Sequence, residues 1–163
     1  MLTHVRETGR RKLNLRVLVG SGDRIAAFVL PFLVAGVILN ILFPAVFAVG
    51  GPPAVLQWVS VVMLIGGVSI WAWSAVLILT KVPRGDLITG GPYRVVKHPL
   101  YTAVALLVLP WIGFLYNTWL GAVIGIVMYI GSRTFAPAEE RDLSKAFGAA
   151  WGKYRHSVKV PWL

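Results

Sequence analysis

The sequence predicts an all-helical integral membrane protein with four transmembrane helices, and three observations lead to this fold class. The chain has 163 residues, of which 57% are hydrophobic and only 13% are charged. A soluble domain usually carries about 25% charged residues, and a chain of this length cannot enclose so much apolar surface. The apolar residues form long blocks, and all 16 lysines and arginines lie between these blocks or at their ends.

Four apolar blocks are the predicted spans, and they cover residues 25–49, 54–80, 100–116 and 118–135. A helix needs about 20 residues to cross the hydrocarbon core at about 1.5 Å per residue. The first two blocks are long enough, whereas the third is short. The prolines inside the blocks are expected to kink their helices, a cost that neighbouring helices offset in a membrane. These prolines are Pro31, Pro44 and Pro110.

The basic residues predict the topology. Six precede the first block, four lie between the second and third blocks, and six follow from Arg133 onward. The other two connections carry none, and short positively charged connections stay in the cytoplasm. We therefore expect both termini and the polar loop to be cytoplasmic, in an inner or plasma membrane. The chain divides into a basic interfacial segment (1–24), a first transmembrane hairpin (25–80), and a part with the polar loop, a second hairpin and a C-terminal interfacial helix (81–163), all within one domain.

Several classes of function are disfavoured. The net charge of +10 does not indicate a nucleic-acid-binding protein, because the basic residues flank the apolar blocks and suit anionic lipid headgroups. The chain has no cysteine, and its three histidines lack the spacing of metal ligands. No metal site is expected, and no Ser-His-Asp or zinc-protease motif is present.

The loop between the second and third blocks is one place where chemistry is expected. Residues 90–101 read GGPYRVVKHPLY. Glycine adopts positive φ freely, so a turn forms at Gly90 and Gly91 and the backbone can approach a ligand there. Polar and cationic side chains follow just before a membrane helix, namely Tyr93, Arg94, Lys97, His98 and Tyr101. Taken alone, these residues also fit an interfacial anchor.

The C-terminal tail is the second such place. Residues 143–154 carry an apolar stripe at helical spacing, which suits a helix lying on the bilayer or on the bundle. Glu139 and Glu140 are expected in the first turn of this helix. There they either complement the helix macrodipole or form a carboxylate pair that holds the hydroxyls or amine of a polar cofactor.

The two segments together form a more specific pattern. Residues 90–94 (GGPYR) followed by 97–101 (KHPLY) match Gly-Pro-Tyr … Arg-His-Pro-x-Tyr, and residues 139–154 match Glu-Glu … Phe-Gly-x-x-Tyr-x-x-Tyr. In these motifs, which cover about half of the chain, the sequence resembles the isoprenylcysteine carboxyl methyltransferase family and the related phospholipid methyltransferases. It departs from them at Lys97, where the family usually has Arg, and at Trp151, where it usually has Tyr.

This resemblance implies a methyltransferase that binds S-adenosylmethionine from the cytosol and methylates a lipophilic acceptor in the bilayer. The acceptor is a prenylcysteine-like carboxylate or a lipid-like molecule. The residues implied in cofactor binding are Gly90, Gly91, Tyr93, His98, Tyr101, Glu139 and Glu140. The candidate catalytic residues are Lys97, Arg94 and Arg133. If the point charge of Lys97 does not hold a carboxylate, either arginine is expected to bind it through two hydrogen bonds.

Two other functions stay open at this point. One is an NADPH-dependent membrane reductase, because the cofactor-binding half of the sterol reductases looks broadly similar to this chain. The other is a small membrane scaffold or regulatory subunit without enzymatic activity. The two enzymes differ in the cofactor they bind, and a scaffold binds neither. The oligomeric state is left undefined.

Overall fold

The structure is a computed structural model that describes residues 15–51 and 53–160, with side chains described from Ser21 onward. Most of the interfacial segment expected over residues 1–24 lies outside the described residues. From Leu15 onward the chain is already helical.

The described residues form seven α-helices linked by short turns. The helices are α1 (Leu15–Leu42), α2 (Pro44–Phe47), α3 (Ala54–Lys81), α4 (Pro99–Ala103), α5 (Leu109–Leu115), α6 (Leu120–Phe147) and α7 (Ala149–Ser157). A π-helical turn, Val104–Val108, joins α4 to α5. Two 3₁₀ turns, Val82–Arg84 and Gly91–Arg94, lie in the polar loop. The predicted all-helical fold is confirmed.

Three helices are long and apolar enough to cross a membrane. These spans are Ser21–Leu42, Ala54–Arg84 and Leu120–Phe147, among the residues that the structure describes. The third predicted block forms the shorter apolar helix Pro99–Leu115. Three candidate spans therefore correspond to blocks one, two and four, and the fourth span stays a prediction.

The prolines affect the helices in different ways. Pro31 lies inside α1 without ending it. Pro44 does not kink a continuous helix as expected, because α1 ends at Leu42 and Pro44 begins α2. Proline has no N–H donor and is therefore tolerated in the first turn of a helix. Pro110 is the second residue of α5, and the π-helical turn that ends at Val108 rearranges the backbone hydrogen bonds just before this helix.

The sequence-based prediction for the tail was wrong in one respect. The fourth block and the start of the tail form a single helix, α6, which continues through Pro137 to Phe147. Glu139 and Glu140 therefore lie well inside α6 and not in the first turn of a new helix, so the macrodipole does not explain them. The break comes at Gly148, whose φ of +51° favours glycine, and α7 begins after it.

The helices pack in the order α3, α4–α5, α6, α1. Helix α1 runs antiparallel to α6, since Ser21 contacts Glu139 near one end and Gly36 faces Leu120 near the other. Glycine allows close approach between α6 and the π-helical turn, where a Cβ at Gly125 would overlap the carbonyl oxygen of Ala105. Small residues at such interfaces are typical of membrane helices. Many large apolar side chains of α1 and α3 are exposed, as lipid-facing surfaces require.

Candidate functional site

A cavity of about 350 Å³ lies where α1 begins and α3 ends. Its walls come from these two helices, from the polar loop, from α4 and α6, and from the tail helix α7. Most of the lining residues are apolar, and the volume lies in the range of small-molecule sites. We call this space the first cavity.

Five residues predicted from the two sequence motifs line the first cavity. They are Tyr93, Lys97, His98, Tyr101 and Glu139. Residues about 40 positions apart in the sequence thus meet at one place, because α4 packs against α6. His98 and Tyr101 lie with their rings nearly parallel, at a centroid distance of 6.2 Å.

Helix α1 contributes polar groups that the sequence analysis missed. The Ser21 hydroxyl donates a hydrogen bond to Oε2 of Glu139 and lies 3.1 Å from the Tyr101 hydroxyl. The Glu139 residue is only 7% exposed, so this bond satisfies a carboxylate that is removed from water. Gly22 and Asp23 also line the cavity. The only sequence signal was the run of small polar residues just before the first apolar block.

Glu140 faces away from the first cavity. Its Oε1 atom lies 2.5 Å from Nζ of Lys97 and 3.2 Å from Nε2 of His98. The Lys97 side chain is 9% exposed and that of Glu140 is 20% exposed, so the pair is largely shielded from solvent. Glu140 therefore holds two residues that line the first cavity, without lining it itself.

A second, smaller cavity of about 210 Å³ lies on the other side of this ion pair. Its lining residues come from the end of the polar loop, from α4 and from α6, and they are Lys97, His98, Thr102, Tyr129, Ser132, Arg133, Ala136, Pro137 and Glu140. Lys97 and His98 line both cavities. The predicted site residues are thus divided between two neighbouring spaces.

The tail packs against the polar loop and closes the first cavity on one side. Trp151, Tyr154 and Val158 form a buried apolar cluster against Leu87 and Tyr93. The tail stripe therefore packs on the bundle, one of the two arrangements expected for it. Trp151, which stands where the resembling family usually has Tyr, is a buried member of this cluster.

Two further contacts fasten the tail to the loop. The Tyr154 hydroxyl donates a hydrogen bond to the Tyr93 carbonyl oxygen at 2.9 Å, and the Val160 N–H donates to the Val95 carbonyl oxygen at 2.9 Å. Burial raises the pKa of the Tyr93 and Tyr154 hydroxyls well above the usual range. Both hydroxyls are therefore neutral at physiological pH, and that of Tyr154 stays able to donate.

Three predicted residues lie outside both cavities. Gly91 has a φ of +61°, and a Cβ there would lie 3.1 Å from the Trp73 ring, so this glycine lets the turn pack against α3. Gly90 and Arg94 are both exposed, and neither residue lines a cavity. The Arg94 carbonyl oxygen accepts a hydrogen bond from the Lys159 N–H at 3.4 Å, so the backbone here serves the contact with the tail.

Comparison with known proteins defines the class. The model of the phospholipid methyltransferase family matches residues 45–150, which is more than half of the chain. Together with its apolar helices, this match makes the chain a membrane methyltransferase. It belongs to the phospholipid methyltransferase family, and the resemblance seen in the motifs is confirmed. No curated protein and no solved structure matched the chain.

The family match begins after α1 and ends before Trp151. Two parts of the cavity wall therefore lie outside the matched residues, namely Gly22 and Asp23 on one side and Trp151 and Tyr154 on the other.

Proposed function

We propose that this protein transfers a methyl group from S-adenosylmethionine to a lipophilic acceptor at the cytoplasmic surface of the membrane. The observation that carries the proposal is the composition of the first cavity. It combines the polar residues of both methyltransferase motifs with apolar walls from helices that are long enough to span a membrane. A polar cofactor needs the polar residues and a lipophilic acceptor needs the apolar walls, so a site that binds both must contain both kinds of surface.

The charges of the first cavity fit the cofactor. Its lining includes three carboxylates, those of Asp23, Asp86 and Glu139. S-adenosylmethionine carries a sulfonium and an ammonium group, and nearby carboxylates favour cations. In this proposal Glu139 holds a polar group of the cofactor, and Tyr93, His98 and Tyr101 contact it. When bound, the cofactor supplies an electrophilic methyl group.

The protein's own contribution is alignment and exclusion of water. Holding two reactants in line can contribute roughly 7–11 kcal/mol to lowering a barrier. Ser21, whose hydroxyl also contacts that of Tyr101, fixes the position of Glu139. Glu140 fixes His98 and Lys97. The tail cluster covers one side of the cavity and keeps water from the reacting groups.

The acceptor is proposed to enter along the apolar walls. Ile78 and Leu79 of α3 line the first cavity, as do Leu143 and Phe147 of α6. Such walls suit the chain of a prenylcysteine-like or lipid-like molecule. Lys97 lines both cavities and is the candidate contact for a polar end of the acceptor. The exposed position of Arg94 does not favour a role for it in the reaction.

In the proposed orientation, the protein lies in an inner or plasma membrane and its first cavity faces the cytoplasm. The cavity lies at the end of the bundle where the basic residues of the sequence concentrate, and such residues stay on the cytoplasmic side. Four spans place both termini on that side. In this arrangement the Pro99–Leu115 helix spans the membrane between α3 and α6.

The test is calorimetric titration of the detergent-purified protein with S-adenosylhomocysteine, and with NADPH in a parallel run. We expect micromolar affinity for the first compound and no heat from the second. The variant Glu139→Gln should bind S-adenosylhomocysteine about tenfold or more weakly than the native protein does, since a hydrogen bond to a charged group contributes about 1.5–3 kcal/mol. Asp142→Asn, an exposed acid on the same helix outside both cavities, is the matched control.

Binding of NADPH without binding of S-adenosylhomocysteine would support the alternative function, an NADPH-dependent membrane reductase. The absence of a binding heat from both compounds in a folded sample would contradict the proposal. Equal affinities of Glu139→Gln and the native protein would remove Glu139 from the cofactor site while leaving the reaction class in place. Incubation with methyl-labelled S-adenosylmethionine and a membrane lipid extract then identifies the acceptor by the compound that gains the label.

A further inference from the structure

The lining of the first cavity is acidic, although the chain as a whole has a net charge of +10. Asp23, Asp86 and Glu139 all line it. Among the described lining residues Lys97 is the only lysine or arginine, and its ammonium group lies 2.5 Å from the carboxylate of Glu140. The positive charge of Lys97 is therefore compensated by a residue outside this lining, and the carboxylates determine the charge that a ligand meets.

Two of these carboxylates are available to a ligand. The carboxylate of Glu139 is buried and accepts a hydrogen bond from Ser21. Those of Asp23 and Asp86 form no hydrogen bond and no ion pair with any residue that the structure describes from Ser21 onward. Both residues are exposed, so they lie where the cavity meets solvent.

The backbone holds both residues at the cavity. Asp23 follows Gly22 on α1, where an added Cβ would lie 3.4 Å from the Tyr101 hydroxyl oxygen, so this turn of the helix lies directly against another lining residue. Asp86 follows the 3₁₀ turn after α3, and its N–H donates a hydrogen bond to the Lys81 carbonyl oxygen at 3.2 Å. The two carboxylates thus reach the cavity from two separate elements.

A methyl donor and its product differ in charge. When a methyl group leaves a sulfonium, the sulfur–carbon bond breaks, its electron pair stays on sulfur, and the methyl carbon bonds to the acceptor. S-adenosylmethionine therefore carries one net positive charge, and S-adenosylhomocysteine carries none. Both keep the same ammonium and carboxylate groups. Coulomb attraction falls off only as the inverse of distance, so a carboxylate at the cavity attracts the donor through a charge that the product lacks.

We propose that Asp23 and Asp86 determine the selectivity of the first cavity for the cationic methyl donor over its neutral product. This inference rests on the proposed function. Neither residue belongs to the two sequence motifs, and Asp23 lies outside the residues that match the family. Loss of the sulfonium charge removes the attraction to both carboxylates, so each transfer weakens the hold of the site on the spent cofactor.

The experiment measures the dissociation constants of S-adenosylmethionine and S-adenosylhomocysteine by calorimetry, with the full chain in a non-ionic detergent and without acceptor. The ratio of the two constants is the readout, because it cancels contacts that both ligands make. Asp23→Asn and Asp86→Asn should each reduce the preference for S-adenosylmethionine by about two- to fivefold, the range expected for exposed charges. The double variant should reduce it further.

Three controls separate selectivity from structure. Asp142→Asn removes an exposed acid that lines neither cavity and should keep the native ratio. Asp23→Glu retains the charge and should also stay close to the native ratio. Raising the salt concentration from about 50 to about 500 mM should lower the preference in the native protein more than in the double variant, because salt screens exposed charges.

Each outcome decides the inference. A lower preference in the asparagine variants, with the native ratio in Asp23→Glu and Asp142→Asn, supports it. An unchanged ratio in the double variant would overturn it and leave the proposed function intact, since both ligands still bind. An equal change in Asp142→Asn would also overturn it, because the effect would then come from the overall charge of the protein. Binding of neither ligand to the folded native protein would contradict the proposed function and this inference together.

Discussion

The hydroxyl of Ser21 donates a hydrogen bond to the carboxylate of Glu139, and these residues lie 118 positions apart in the sequence. The bond joins the start of the first long helix to the last one, at the wall of the first cavity. The position of the candidate cofactor-binding carboxylate therefore depends on a helix outside the part of the chain that matches the family.

The variant Ser21→Ala tests this dependence. It leaves a largely buried carboxylate without one hydrogen bond, so we expect a loss of about 1–3 kcal/mol in the free energy of unfolding and weaker binding of S-adenosylhomocysteine. Both are measured in detergent, by unfolding and by calorimetry. Ser69→Ala is the control, because the Ser69 hydroxyl is exposed and bonds only the Ile65 carbonyl oxygen in its own helix. Equal behaviour of the two variants would contradict the anchoring role.

The ion pair between Lys97 and Glu140 is expected to act as a unit. Removing one partner leaves the other charge largely shielded and unpaired, so Lys97→Met and Glu140→Gln should each destabilise the protein. The double variant should lose less stability than the sum of the two single losses. A coupling free energy of about 1–3 kcal/mol is expected from a double-mutant cycle on unfolding in detergent. A coupling below about 0.5 kcal/mol would show that the two groups act independently.

The contact between the tail and the loop should weaken in alkaline solution. Burial raises the pKa of Tyr93 and Tyr154, so the folded state favours their neutral forms. Stability from this source is fully present below the ordinary tyrosine pKa of 10.0 and is lost as the pH rises above it. Hydrogen exchange of residues 149–157 should therefore accelerate above about pH 10 beyond the intrinsic increase.

Tyr154→Phe serves as the comparison for this pH effect. It removes the hydrogen bond to the Tyr93 carbonyl oxygen and should cost about 0.5–1.5 kcal/mol at neutral pH. It should also flatten the alkaline response, because one of the two titrating groups is gone. Loss of protection that begins below about pH 9 would point to another titrating group.

The glycine contact between α6 and the π-helical turn predicts opposite effects for two similar substitutions. Gly125→Ala introduces a Cβ against the Ala105 carbonyl oxygen, a backbone atom that cannot move aside, so we expect a loss of about 1–3 kcal/mol. Gly66→Ala in α3 meets nothing within 4 Å and should stabilise by about 0.5–1 kcal/mol, because alanine favours the helix. Thermal unfolding in detergent distinguishes them, and a neutral Gly125→Ala would contradict the close approach.

Sequence reasoning identified the features that depend on local pattern. Apolar block length predicted an all-helical protein. The resemblance of the two motifs to the methyltransferase family implied Tyr93, His98, Tyr101 and Glu139 as one site, and these residues line one cavity. It failed where tertiary packing decides. Glu139 and Glu140 are adjacent in sequence, yet neighbouring residues of a helix point in different directions, and the two carboxylates serve different cavities.

The contribution of Ser21 was not predictable from one sequence. Its partner lies on a helix far along the chain, and only the antiparallel packing of α1 on α6 brings the two together. The continuation of α6 past the membrane was missed for a related reason. The fourth apolar block was predicted to end at residue 135, but α6 continues through the exposed Pro137 to Phe147.

The first cavity also sets a constraint on the order of biosynthesis. Its wall includes Gly22 from the first long helix and Tyr154 from the tail. The ribosome adds about 5–20 residues per second, so the stretch between them takes on the order of 10 s to make. Until Glu139 has been synthesised, Ser21 in α1 lacks its carboxylate partner. The wall of the first cavity is therefore incomplete until Tyr154 has been synthesised, so the cavity forms only after the ribosome has passed this residue.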